Sequence, residues 1–116
     1  MLEQYKWKNR ILIIFSHDTE FVEEQKGLLT QVKSGLVDRD MILFGFGEDT
    51  PPFSLDPSIE LDRLRKSLSI EDNTIVLLGK DGGVKAKWET LVDPQRVFDI
   101  IDAMPMRQRE MRERGR

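Results

Sequence analysis

The chain has 116 residues, of which 39% are hydrophobic and 34% charged. That is one domain's worth of chain, with no room for a second core of ordinary size. It has no cysteine and one histidine, His17. Disulfides, thiolate metal sites, thiol nucleophiles and dithiol redox chemistry are therefore excluded together, as is a multi-histidine metal site within one chain.

The net charge of −3 does not favour nucleic acid or an anionic membrane. The charge is uneven: residues 106–116 carry five Arg and two Glu, so an acidic body ends in a basic stretch. No apolar run approaches the roughly 20 residues of a membrane span. The start lacks the apolar stretch of a signal peptide. Read literally this points to the cytoplasm; an N-terminal signal upstream would move the chain to the periplasm or make it secreted.

In chain order, Arg10–Ser16 (RILIIFS) is a continuous apolar run, the pattern of a strand buried on both faces. Asp18 or Thr19 is a plausible N-cap for a helix reaching about Ser34, with Gly35 as its stop. Trp7 and Trp88 are candidate core or rim residues, Trp7 being placed just ahead of the first strand where it would cover the sheet edge. Asp40–Phe46 is a second apolar strand, so the first two should lie parallel with a right-handed crossover. Residues 47–57 hold three Pro and several acids and read as a loop. Pro57 then leads into an amphipathic helix with Ile59, Leu61, Leu64 and Leu68 on one side. Thr74–Gly79 is a third strand. Lys80-Asp81-Gly82-Gly83 is a tight turn into Val84–Trp88, an edge strand with Lys85 and Lys87 facing water. Pro94–Ala103 is a helix with Val97, Phe98, Ile100 and Ile101 inward; Pro105 ends or kinks it, and the tail over 106–114 is a candidate continuation of the helix.

The resulting order is β-α-β-α-β-β-α, a four-stranded mixed sheet flanked by helices, which is the core order of a thioredoxin-like α/β fold of the peroxiredoxin kind. Residues 1–105 are assigned to this domain and 106–116 to a basic C-terminal tail. The segments Trp7-Lys-Asn-Arg10, Gln25, Asp38-Arg39-Asp40, Leu77-Leu-Gly-Lys-Asp-Gly-Gly-Val-Lys85 and Ile101-Asp-Ala-Met-Pro-Met-Arg-Gln-Arg-Glu-Met111 together resemble a bacterial thioredoxin-like family of unknown function. Its animal relatives are the P-DUDES domains of sushi-repeat and equarin-type proteins. The resemblance implies a thioredoxin-like fold, no securely attached enzymatic activity, and an interaction role in the animal relatives.

Enzymes of this fold place a reactive cysteine after the first strand, at a helix N-terminus that favours the thiolate. Here that stretch is Phe15-Ser16-His17-Asp18. The stretch before the third strand, where such enzymes carry a cis-proline, reads Glu71-Asp72-Asn73-Thr74. Thiol redox activity is thus not expected. Ser16-His17-Asp18 has the composition of a catalytic triad, but triad members come from separate segments, and a polar turn with a helix cap explains it better. No residue is assigned as catalytic, and no metal or cofactor is expected.

Two segments carry the binding candidates. The hairpin loop offers Gly79, Lys80, Asp81, Gly82, Gly83 and Lys85, a glycine-rich turn that doubles as a candidate anion cradle. The C-terminal segment offers Asp102, Met104, Pro105, Met106, Arg107 and Arg109. There Met adapts to irregular surfaces and Arg binds carboxylates in two-pronged fashion; Asp102 pairing with Arg107, Arg109 or Arg10 would instead fix the tail on the body. Arg10, His17 and Arg39 are further candidates. The leading expectation is a non-redox binding module meeting a protein partner through the loop or tail. The alternative is a phosphate- or anion-ligand protein, or an enzyme without thiol chemistry, in which His17, Lys80 and Asp81 converge. Oligomeric state is open.

Overall fold

The computed structural model describes residues 3–46, 66 and 72–115. The loop over 47–57 and the amphipathic helix expected after Pro57 fall outside them.

Strand β1 (Arg10–Phe15) is buried along its whole length, as its unbroken apolar run requires. Helix α1 (Thr19–Thr30) follows, with Asp18 as N-cap: its carboxylate accepts from the Glu20 amide at 3.0 Å. A short helix α2 (Lys33–Asp38) leads to β2 (Met41–Phe46). After the undescribed segment come β3 (Thr74–Leu78), β4 (Val84–Trp88), helix α3 (Pro94–Asp102) and helix α4 (Pro105–Glu113). The sheet order is β2-β1-β3-β4, with β1 and β2 parallel and the other pairs antiparallel. Thioredoxin-like order and a mixed sheet are therefore what the chain forms.

The sheet buries both faces. Leu12, Ile14, Ile75 and Leu77 meet Val22 and Leu29 of α1, Leu36 of α2 and Val97, Phe98 and Ile101 of α3. Ile11, Ile13, Phe15, Ile42, Phe44, Val76 and Leu78 form the second cluster, on which Tyr5 packs edge-on to Phe44. Strand β4 is an edge strand with Lys85 and Lys87 exposed and Trp88 half-buried against the first cluster.

Two local expectations need correction. Gly35 does not stop a helix; it lies inside α2, where a Cβ would come within 2.7 Å of the Phe98 ring. The glycine is there for close approach, and α1 ends earlier, at Thr30. Trp7 does not cover the sheet edge but is 64% exposed, with φ of 67°. Its amide donates to the Lys80 carbonyl at 2.7 Å, which ties the entry to β1 to the hairpin turn. Pro105, by contrast, breaks the helix where expected and the tail does continue helically: Pro105 is the first residue of α4, where its missing N–H leaves no bond unmade.

Register fixes what meets at each end of the sheet. Arg10 pairs with Met41, Ile11 with Leu78 and Phe15 with Thr74. The Arg10 end thus gathers the segment before β2 and the hairpin turn after β3. The Phe15 end gathers Ser16-His17-Asp18 and Asp72-Asn73.

Candidate functional site

The Phe15 end is where a thioredoxin-like enzyme would keep its thiol. Ser16 is 0% exposed there. Its hydroxyl donates to the Asn73 side-chain oxygen and accepts from the Asp18 amide at 2.9 Å. Asn73 has a φ of 50°, a left-handed conformation that Asn tolerates better than most residues. The His17 amide donates to Asp72 at 2.7 Å, and this bond holds the exposed Asp72 carboxyl below the usual range. The His17 ring is exposed and stands edge-on to Phe15. Asp18 is occupied as a helix cap. The three neighbours form a fixed polar turn, and no triad geometry arises from them.

At the Arg10 end the hairpin turn is closed on itself. The Gly79 amide donates to Gly83 O at 2.9 Å, Gly82 to Gly79 O at 3.0 Å, and Gly83 to the Asp81 carboxylate at 3.0 Å. Gly82 has a φ of 85°, which a side chain would strain. Lys85 pairs with Asp81 at 2.8 Å and, with the Gly83 amide, depresses the Asp81 pKa. Three glycine amides are thus already used by the turn's own acceptors. Because the turn and His17 lie at opposite ends of the sheet, the expected convergence of His17, Lys80 and Asp81 does not occur.

What the Arg10 end does hold is a connected ionic network. Arg10, 1% exposed, makes a two-pronged pair with Glu110 of α4 (3.2 and 2.9 Å) and donates to Arg39 O at 3.0 Å. Lys80 bridges Glu110 (3.0 Å) and Asp40 (2.9 Å), and Arg114 also reaches Asp40 at 2.8 Å. Arg107, 2% exposed, binds Asp38 at 2.6 Å and Asp102 at 3.0 Å. Asp102 in turn is gripped by Arg39 at 2.8 Å, whose guanidinium lies 4.0 Å from the centre of the Phe98 ring. Burial opposes ionisation of Asp40, Asp102 and Glu110, but the hydrogen bonds and charges of their Lys and Arg partners outweigh it. All three carboxyls are held below their ordinary values.

The network revises the view of the tail. Asp102 pairs with Arg39 and Arg107, not with Arg10 or Arg109. Arg107 and Glu110 face the body and are buried, whereas Arg109 on the same helix is exposed. Residue 106, where the basic tail is expected to begin, lies within α4, and Arg109 faces solvent while Arg107 does not. Asp38, Asp40, Glu110 and Arg114 belong to the network as well, through contacts between segments distant in the chain. Gln25, fully buried, is another such case: its amide group exchanges hydrogen bonds of 3.0 and 2.8 Å with the Val92 backbone ahead of α3.

Between the hairpin turn and the start of α4 lies a notch of about 310 Å³. Gly79, Lys80, Asp81 and Lys85 form one wall and Met104, Pro105 and Met106 the other, with Arg10 on the β1 side. The structure therefore brings together most of the loop candidates and the Met-Pro-Met candidates, and leaves His17 out. A second hollow, of about 500 Å³, lies elsewhere, lined by Leu28, Val32, Leu91 and Phe98 among others. Among the described residues no cluster of three or more His, Asp or Glu is placed to hold a metal. Among them, too, no helix is long and apolar enough to cross a membrane.

The family model described as "Domain of unknown function (DUF4174)" matches residues 1–110. The chain belongs to the DUF4174 family. The match runs through α4 as far as Glu110, so the segment that closes the network lies within the family's domain. This DUF4174 domain is 27% identical over 121 residues to the sushi repeat-containing protein SRPX of Rattus norvegicus; the alignment covers 96% of the chain but only 26% of that protein. Among solved structures it is similar to thioredoxin peroxidase I of Plasmodium yoelii. The TM-score is 0.63, with 15% identity over 93% of this chain and 79% of the other. It is also similar to a protein named Trgpx in its apo form, with a TM-score of 0.51 and 20% identity over 86% of this chain and 82% of the other. At such identities the likeness is one of fold. The DUF4174 chain has the thioredoxin-like scaffold and no cysteine with which to run thiol chemistry.

Proposed function

We propose that this DUF4174 domain is a non-redox binding module that recognises a partner protein through the notch between the hairpin turn and α4. The observation that carries this reading is the pairing of two distinct surfaces. The place that holds the thiol in redox relatives is filled by Ser16, bonded to Asn73. The opposite end offers an open notch with methionine and proline on one side and charged loop residues on the other. Met104 and Met106 are half-buried and Pro105 exposed, a small adaptable apolar surface beside the exposed Lys85 and Asp81. Arg109, exposed on the same helix, extends that surface; Arg107 supports it from beneath. The similarity to part of a sushi repeat-containing protein supports both the interaction role and kinship with the animal P-DUDES domains.

The test is site-specific photo-crosslinking in the source cells. A photoreactive residue replacing Met106 should trap a discrete protein adduct, and the same residue replacing His17 should not. Equal adduct patterns at both positions, or none at Met106, would remove the notch as the recognition surface.

A further inference from the structure

Among the described residues, the network beside the notch holds more cations than carboxylates: it joins five cations (Arg10, Arg39, Lys80, Arg107, Arg114) with four carboxylates (Asp38, Asp40, Asp102, Glu110), leaving one positive charge in excess. One donor in it is also unmet. The Nε of Arg10 is buried and has no hydrogen-bond partner, although the guanidinium's two other nitrogens serve Glu110 and Arg39 O. An unsatisfied buried N–H on a charged group is costly, more so than a neutral one. Arg10 is also the residue that lines the notch from the β1 side. The opposite wall is Met104, Pro105 and Met106, which has no charge to offer.

We infer that the notch binds a single carboxylate carried on a short aliphatic chain, the carboxylate meeting Arg10 and the chain lying along Met104–Met106. The single unmet N–H of Arg10 calls for one acceptor oxygen, and the glycine amides that would cradle a phosphate are taken. At about 310 Å³ the notch lies at the small end of ligand pockets, which run from about 300 to 1,000 Å³. Both Glu110 oxygens are already bonded to Arg10 and Lys80, so Glu110 does not fill the vacant donor position. Reaching Arg10 Nε requires wall side chains to move; two of the three on the helix side are methionines, whose unbranched chains change rotamer readily. This inference rests on the same reading of the notch as a recognition surface and adds the chemistry it selects.

The probes are hexanoate, hexanol and acetate, each titrated into the ¹⁵N-labelled full chain and followed by NMR. Hexanoate should give saturable shifts at the Gly79–Lys85 and Met106 amides and at the Arg10 Nε–H signal, and should bind at least tenfold more tightly than either control. Met106→Trp, which fills the notch without touching the network, should weaken hexanoate at least tenfold with the rest of the spectrum unchanged. Equal binding of hexanol or acetate, an unmoved Arg10 Nε–H signal, or undiminished binding by Met106→Trp would overturn the inference. Partner adducts at position 106 with no response to hexanoate would overturn the carboxylate assignment and leave the binding module standing. Hexanoate binding without adducts would do the reverse.

Discussion

Arg10 and Glu110 are separated by 100 residues and meet in a two-pronged ion pair at the end of the sheet. Arg10 begins β1 and Glu110 sits two turns into the last helix, so this pair fastens the C-terminal segment to the centre of the fold. Removing one partner strands the other as a buried charge. Glu110→Ala should therefore cost about 3–5 kcal/mol in unfolding free energy, the range for breaking a buried pair. The double variant Arg10→Met, Glu110→Leu should recover much of that loss. Urea denaturation of the three proteins checks both statements; a loss under 1 kcal/mol for Glu110→Ala would show that the pair is largely solvated.

The two helical glycines should respond with opposite signs to the same substitution. Gly27 in α1 has nothing within 4 Å of a built Cβ, so Gly27→Ala should stabilise by about 0.5–1 kcal/mol through helix propensity. Gly35 meets the Phe98 ring at 2.7 Å, so Gly35→Ala should destabilise by about 1–3 kcal/mol. Adding Phe98→Leu to the latter should return part of the difference. Thermal melts of the three variants beside the parent chain distinguish packing from propensity.

Acid should loosen the network in a defined window. The carboxyls of Asp40, Asp102 and Glu110 have folded-state values below their ordinary values of 3.8 for Asp and 4.5 for Glu. A depressed carboxyl contributes stability that is fully present above its unfolded-state value and is lost as pH falls through the folded one. The contribution should therefore be flat from neutrality to about pH 5 and fall below the ordinary values. Urea midpoints between pH 7 and pH 3 measure this, and Glu110→Gln should show a shallower acid slope.

At the other end, Ser16→Cys tests whether the thioredoxin position is merely vacant or built over. The native hydroxyl is buried and bonded to Asn73 and to the Asp18 amide. The introduced thiol should react with iodoacetamide at least tenfold more slowly in the folded chain than in urea. Equal rates would mean that the turn is open.

The parts of this fold legible from sequence are those whose signal is local. β1 and β3 are unbroken apolar runs because both sheet faces are covered, and the Asp-Gly-Gly turn announces its own positive φ. Gly35 misled because absence of a Cβ serves a turn and a close approach equally, and the deciding Phe98 is far along the chain. Arg107 and Arg109 are alike in composition, yet one is buried and the other exposed. The distinguishing signal was present: Arg107, Glu110 and Arg114 recur at i, i+3 and i+7, one face of a helix. A search for amphipathic faces looks for apolar stripes, and this helix docks through a charged one. Its complement, Arg10, Asp38, Asp40, Lys80 and Asp102, is scattered over four other segments.

The position of Glu110 also bears on how the chain comes to be folded at all. During synthesis Arg10 is made first and its carboxylate partner a hundred residues later. Until α4 emerges, any collapse that buries Arg10 does so without the carboxylate that pairs with it. Native packing of β1 and docking of α4 should therefore be coupled steps, with closure of this end of the core awaiting translation of residue 110.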